Sequence, residues 1–362
     1  MTAGRSLGRL ALCVEYDGAG FCGWQRQGEG AWKESPPLPS LSPCPSPAES
    51  GRGEAFPSSL PCGREVGREG REGWGGDGGS APSPPTLLPQ GERGAACAAL
   101  SQESICLAPH RVDRIGVQEA LESALAAIAG VPVRTIAAGR TDAGVHASAQ
   151  VVHFDAPVAR PLTAWVRGVN AHLPPTVAVR WAQPVAADFH ARFSATARHY
   201  TYWLLNRSER PGLWAGRVGW YHRPLDAAAM AAAAQGLVGT HNFSSFRAAQ
   251  CQAQSPVKTL TTFSVTRYGA FIRFACSGNA FLHHMVRNMV GALLWVGSGK
   301  QPGDWIAELL AARDRTQAAP TFMADGLYLT GMDYDERFGL PPTRRDVWFQ
   351  ESEAPSSFSS DS

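Results

Sequence analysis

The chain has 362 residues and a formal net charge of +2 at pH 7, long enough for two domains of ordinary size if all of it folds. No stretch approaches the about 20 apolar residues of a membrane helix, and the eight cysteines include no CxxC pair and no Cys/His set at zinc-ligand spacing, which excludes a membrane span and a zinc ribbon and fits free thiols in a reducing, cytoplasmic compartment. The charge is uneven: residues 28–116 and the tail 350–362 are acidic on balance, and the remainder carries a net of +8, a weak pointer to a polyanionic partner.

Leu10, Leu12, Val14 and Tyr16 alternate with Ala11, Cys13 and Glu15, the period of a strand with one buried face, so the chain opens on a strand rather than a secretory leader. After DGAGFCGWQRQ the composition changes: residues 28–116 hold 13 of the 27 prolines and 15 of the 38 glycines, in runs such as SPPLPSLSPCPSPAESG and GREVGREGREGWGGDGGS. Such a segment buries too little apolar surface to offset its ordering entropy, which predicts disorder. Order resumes near Ile115, where Val117, Ala120, Leu121, Ala124, Leu125 and Ile128 fall at helical spacing and Gly130 supplies a stop.

Strands are predicted at 133–138 and 149–154, a helix over Leu162–Leu173, and strands at 177–183 and 198–205. Asp226 suits the cap of an Ala-rich helix at 227–236. Strands fit 259–267 and 270–276, joined by a tight turn at Tyr268-Gly269 that indicates antiparallel pairing. Residues 280–297 read as one long buried helix, and Pro302 introduces a helix over DWIAELLAA. The fold class is α+β.

The densest chemical signal is Gly139-Arg140-Thr141-Asp142-Ala143-Gly144-Val145-His146-Ala147, between two strand-like runs. Its glycines let a ligand approach the backbone, which places Asp142 within reach of a substrate. Taken alone, the loop reads first as a surface ion pair of Asp142 and Arg140 beside a turn. The adjacent His283 and His284 point in different helical directions, so they make poor joint metal ligands and are assigned to packing or contact with a polyanionic partner.

GRTDAGVHA resembles the signature of the TruA-type tRNA pseudouridine synthases, and EYDGAGFCGWQRQ, VQEALESAL, QVVHF, DFHARFSATARHYTY, NAFLHHMVRNMVG and DGLYL resemble that family's blocks in its order. The resemblance implies the pseudouridine synthase fold, two α/β subdomains sharing an antiparallel sheet with a central active-site cleft. It divides the chain into 8–27 plus 115–188 as N-terminal subdomain, 28–114 as a disordered insertion, 189–349 as C-terminal subdomain and 350–362 as a disordered tail. The family crosses from GWQRQ to VQEAL in a short loop, so 28–116 is a solvated insertion, which costs little closure entropy, translated intervening sequence, or a regulatory or partner-binding arm, for which no specific motif speaks.

By the same resemblance Asp142 is the nucleophile that converts uridine to pseudouridine in the anticodon stem-loop of tRNAs, near positions 38 to 40, in a homodimer, with no metal or organic cofactor. Arg287 is expected to pair with Asp142, since a neighbouring cation favours the ionised carboxylate. Arg140 is expected to hold the RNA, Tyr200 to stack on the flipped uracil, and Leu327 to line its pocket. Candidate phosphate or RNA contacts are Gln25, Arg26, Arg192, Arg198 and Lys258. The competing reading is an inactive RNA-binding protein of the same fold.

Overall fold

The computed structural model describes residues 8–25 and 115–344. All of these belong to one compact unit. The disorder expected for 28–114 and 350–362 concerns residues outside that range, as does Arg26.

In chain order the elements are β1 (Arg9–Tyr16), α1 (Val117–Ala129), β2 (Ile136–Ala137), β3 (His146–Asp155), α2 (Val169–His172), β4 (Val177–Val185), β5 (Ala195–Asn206), β6 (Gly219–Tyr221), α3 (Ala227–Ala234), β7 (Gly239–Asn242), β8 (Val257–Tyr268), β9 (Phe271–Gly278), α4 (Met285–Gly297), α5 (Trp305–Ala312) and β10 (Leu327–Tyr334). Local chemistry explains several boundaries. The predicted face of α1 is the buried one, Val117, Ala120, Leu121, Ala124 and Leu125, and Gly130 ends the helix in the left-handed conformation at φ +74, its N–H donating to Ala126 O. Asp226 caps α3 by accepting from Ala229 N at 2.9 Å.

The strands form one sheet in the order β4-β1-β3-β10-β5-β9-β8-β7, with β2 beside β3 and β6 beside β5. Pairing is antiparallel except for β3 with β10 and β5 with β6. The α+β class and the mostly antiparallel sheet agree with the sequence reading. The parallel β3–β10 join rests on only Tyr328↔His146 and Leu329↔Ala147, yet it links the two halves of the sheet.

One hydrophobic core lies between α1, α2 and strands β1, β3 and β4. A second gathers α3, α4 and α5 on β5, β8 and β9. Tyr200 packs against both. The register explains why: Tyr16 pairs with Ala147, Ala147 with Leu329, Leu329 with Tyr200 and Tyr200 with Cys276, a single row across five strands. Paired residues in adjacent strands share a sheet face, so this row forms a floor where the two cores meet.

Three predicted elements differ. The strand expected at 133–138 shrinks to Ile136–Ala137, because Thr135 gives both its N–H and its hydroxyl to Glu122 Oε1, at 2.8 and 3.0 Å, in place of a strand partner. The helix expected over Leu162–Leu173 is a π turn at Ala164–Gly168 running into the short α2. The helix expected over 280–297 begins only at Met285, after His284 takes the left-handed conformation at φ +61. Phe281 turns its ring edge-on to Tyr200, centroids 4.9 Å apart, and this tertiary contact overrides the helical periodicity. Among the described residues no helix is long and apolar enough to cross a membrane.

Candidate active site

The loop between β2 and β3 is held by its backbone. Gln150, fully buried in β3, donates Nε2–H to Gly139 O at 2.6 Å. Tyr16 and Thr141 share a hydroxyl–hydroxyl bond of 2.8 Å, and Trp24 N donates to Thr141 O at 3.0 Å. Val145 N closes the turn onto Asp142 O at 3.1 Å. His146 Nδ1 lies 3.0 Å from Gly18 N and 3.1 Å from Asp17 Oδ1, while Nε2 lies 3.1 Å from Asp325 O. The segment after β1 therefore braces the loop directly. Gly23 shows how closely: at φ +107, a Cβ there would lie 2.8 Å from Thr141 O and 3.1 Å from the Asp142 carbonyl carbon.

This bracing projects the Asp142 side chain toward the N-terminal end of α4, where the helix dipole favours a negative charge. Arg287, in the first turn of α4, places Nη1 3.2 Å from Asp142 Oδ2 and donates Nε–H to Phe322 O at 2.8 Å. The fully buried Asn288 fixes that end of the helix by donating to Phe246 O at 2.8 Å and accepting from Arg315. The structure thus brings together Asp142 and Arg287 from the two sides of the sheet's centre.

It also brings His283 and His284, which overturns the expectation drawn from helical geometry. Both precede α4, so the divergence of neighbouring helical residues does not apply. Their rings lie 3.9 Å apart between centroids. His283 Nε2 is 3.1 Å from Asp142 Oδ1 and His284 Nε2 is 3.3 Å from Oδ2. A clue in the sequence was the absence of a Ser, Thr, Asp or Asn cap just before Met285, which leaves the helix start unmarked. The ligand atoms of Asp142, His283 and His284 lie within 4.8 Å of one another, close enough to hold a metal ion, but the Arg287 guanidinium on the same carboxylate opposes a divalent cation.

Tyr200 lies on the floor beside this group, and burial, the largest influence, raises its phenol well above the ordinary value. It is therefore a neutral aromatic surface and hydrogen-bond donor rather than a phenolate. Leu327, 5% exposed, joins the core that contains Val145. Arg140 is exposed on the same loop as Asp142 and makes no ion pair among the described residues.

The remaining candidates are mostly engaged locally. Gln25 is exposed and donates to Gln118 Oε1 at 2.6 Å. Arg198 gives its guanidinium to Ala195 O and Asn279 O at 2.9 and 2.6 Å and to Arg192 O, and burial lowers its pKa. Lys258 donates to Ser255 O and Val257 O at 2.7 and 3.0 Å, with its pKa also lowered chiefly by burial. Arg192 is exposed, its guanidinium 5.6 Å from the centroid of the Phe193 ring. Asn279 connects these positions, since it accepts from Arg198 and its Oδ1 receives Thr259 N, next to Lys258, at 3.1 Å. A cavity of about 430 Å³ lined by Asp17, His146, Trp214, Arg217 and Tyr328 lies behind the loop and does not include Asp142.

Comparison with known proteins points to one family. A model of the tRNA pseudouridine synthase family matches residues 104–194 and 233–335. The chain is 61% identical over 230 residues to tRNA pseudouridine synthase A of Dechloromonas aromatica (strain RCB), covering 64% of this chain and 88% of the relative. It is 58% identical over 226 residues to the protein of that name from Thiobacillus denitrificans, covering 62% and 87%. Over 258 residues it is 52% identical to that of Bordetella petrii, covering 71% and 95%.

Proposed function

This chain belongs to the tRNA pseudouridine synthase family, and from that premise we propose that it isomerises uridine to pseudouridine in tRNA with Asp142 as the covalent nucleophile. The observation that carries the assignment is the Asp142 carboxylate, 21% exposed, held 3.2 Å from Arg287 at the junction of two cores. The chemistry breaks the bond between uracil nitrogen and ribose, turns the base, and rejoins it through carbon C5, whose hydrogen leaves as a proton. Whether the carboxylate adds to the base or attacks the sugar, it must be ionised, oriented and reachable.

Each neighbour has a part in this reading. Arg287 and the start of α4 balance the nucleophile's charge before attack, an electrostatic preorganisation that costs nothing at the moment of reaction. Tyr200 offers a face against which an extruded uracil stacks, Leu327 closes the apolar wall, and Arg140 contacts the RNA strand beside the target. Gln25, Arg26, Arg192, Arg198 and Lys258 are proposed RNA contacts, with Arg198 and Lys258 acting more through the loops they tie down. The anticodon stem-loop as substrate segment, a homodimer as working unit and a cytoplasmic location rest on the family resemblance. The division into subdomains 8–27 with 115–188 and 189–349 is supported by the two hydrophobic cores.

The test uses purified full-length chain with unmodified tRNA carrying tritium on uracil C5. Tritium release matching pseudouridine formation is the expected result. Tight tRNA binding without release would replace the enzyme by the RNA-binding protein. A second expectation concerns the brace: Gly23→Ala forces a side chain into a positive-φ site and against the catalytic loop's backbone, at a cost of about 1–3 kcal/mol. Displacing the nucleophile by a fraction of an ångström should slow turnover by up to about 10²-fold. Thermal melts and the tritium assay on this variant check both effects, and unchanged values in both would remove the bracing role.

A further inference from the structure

We propose that His283 and His284 are positioning residues for the Asp142 nucleophile, each donating Nε2–H to one carboxylate oxygen to hold the attacking rotamer, and that a second proton on the His284 imidazole locks the carboxylate in a further ion pair and slows the enzyme in acid. The proposal rests on Asp142 being the nucleophile. Three observations carry it.

The first is reach: the two Nε2 atoms lie 3.1 and 3.3 Å from opposite oxygens of one carboxylate, so together they fix its rotation about the terminal bond. A carboxylate held by Arg287 alone, through Oδ2, could still swing. The second is backbone cost. His284 has φ +61, a conformation a bulky side chain rarely adopts and one that persists only where the surroundings over-determine it. Here they do: the loop backbone is pinned by Ala248 N donating to His283 O at 3.1 Å, His283 N donating to Cys251 Sγ at 3.4 Å, and Asn288 N donating to His284 O at 2.9 Å. The third is accessibility, with the side chains of His283 and His284 27% and 25% exposed. The clamp therefore remains in contact with the solvent from which substrate and protons arrive.

A neutral imidazole can give one N–H to the carboxylate and leave the oxygen's remaining lone pairs for attack. An imidazolium adds a full charge and holds the oxygen in a stronger, charge-assisted bond. Burial, first, and then Arg287, His283 and Arg315 disfavour the charged form of His284, against the opposing pull of Asp142. His284 accordingly stays neutral near pH 7 and charges only as the solution becomes acidic. The titratable groups facing His283 are Asp142, His284 and Cys251.

The experiment measures single-turnover tritium release against pH, tRNA affinity and melting temperature for wild type, His284→Gly and the double variant His283→Gln/His284→Gln. Glycine suits a positive φ, so His284→Gly is expected to melt at or above the wild-type temperature and bind tRNA normally while reacting about 10- to 100-fold more slowly, the cost of losing a hydrogen bond to a charged group. Glutamine does not titrate, so the double variant should lose the part of the acid-side fall in rate that His284 causes and its acid limb should differ from the wild-type one, whatever its absolute rate. A wild-type rate in His284→Gly, or a wild-type acid limb in the double variant, overturns the proposal. Asp142→Asn measured in parallel separates the two readings. Full activity in that variant removes the nucleophile itself, whereas an inactive Asp142→Asn beside wild-type-like histidine variants removes only the clamp.

Discussion

Asp142→Asn is expected to abolish pseudouridine formation, lowering kcat/KM by at least about 10⁴-fold, the scale on which removal of a covalent nucleophile acts. The amide matches the carboxylate in size, so the loop clamped by Tyr16, Trp24 and Val145 should keep its course. Electron-pair donation is what disappears. Two further consequences separate a chemical defect from a folding defect. First, the Arg287 guanidinium, 15% exposed and 3.2 Å from the carboxylate in the parent, loses its counter-charge, so some stability should be lost. Second, removing a negative charge beside a polyanion should leave tRNA affinity unchanged or tighter, with an unaltered or slightly steeper salt dependence. Filter binding across a salt series, melting curves and the tritium assay together check this pattern. Weak tRNA binding with residual turnover would mean that Asp142 serves the RNA rather than the reaction.

Much of the site was legible along the chain because its parts are local or periodic. β1 announced itself through alternation, α1 through spacing and a terminal glycine, and Asp142 through a glycine-flanked loop whose meaning came only from the ordered blocks around it. What escaped was non-local. The β3–β10 join depends on two residue pairs from distant parts of the chain, and no window of sequence contains both strands. The histidine clamp was hidden for a different reason: Phe281, Leu282 and Met285 continue an apolar pattern that suits a helix, while the actual chain breaks at His284 to satisfy Tyr200 and Asp142. β6 and β7, three and four residues long, are too short to show a period. Charge alone also could not show that the cationic groups of Arg198 and Lys258 are engaged by backbone carbonyls. Such engagement follows from loop closure and leaves no mark on composition.

Arg287→Met should produce the second largest loss, about 10²- to 10³-fold in kcat/KM, comparable with removal of a preorganised electrostatic donor. Methionine keeps much of the apolar stem that packs within α4 but removes both the Nη1 contact to Asp142 Oδ2 and the Nε–H that Phe322 O accepts at 2.8 Å. The nucleophile keeps the start of α4 and the two imidazoles, which is why the loss is smaller than for Asp142→Asn. The pH profile should change in a defined direction. Burial is the main influence holding His284 neutral, and Arg287 adds to it; without that positive charge His284 takes up its second proton at higher pH, so the acid limb moves toward neutrality. Arg287→Lys should recover part of the rate by restoring a point charge, yet not all of it, because an ammonium lacks the fixed fork that spans carboxylate and carbonyl together. Single-turnover rates from pH 5 to 9 on the three proteins decide the matter. An Arg287→Met variant with a wild-type rate and an unmoved acid limb would show that the helix terminus and the histidines suffice, and that the guanidinium beside Asp142 has only a packing role.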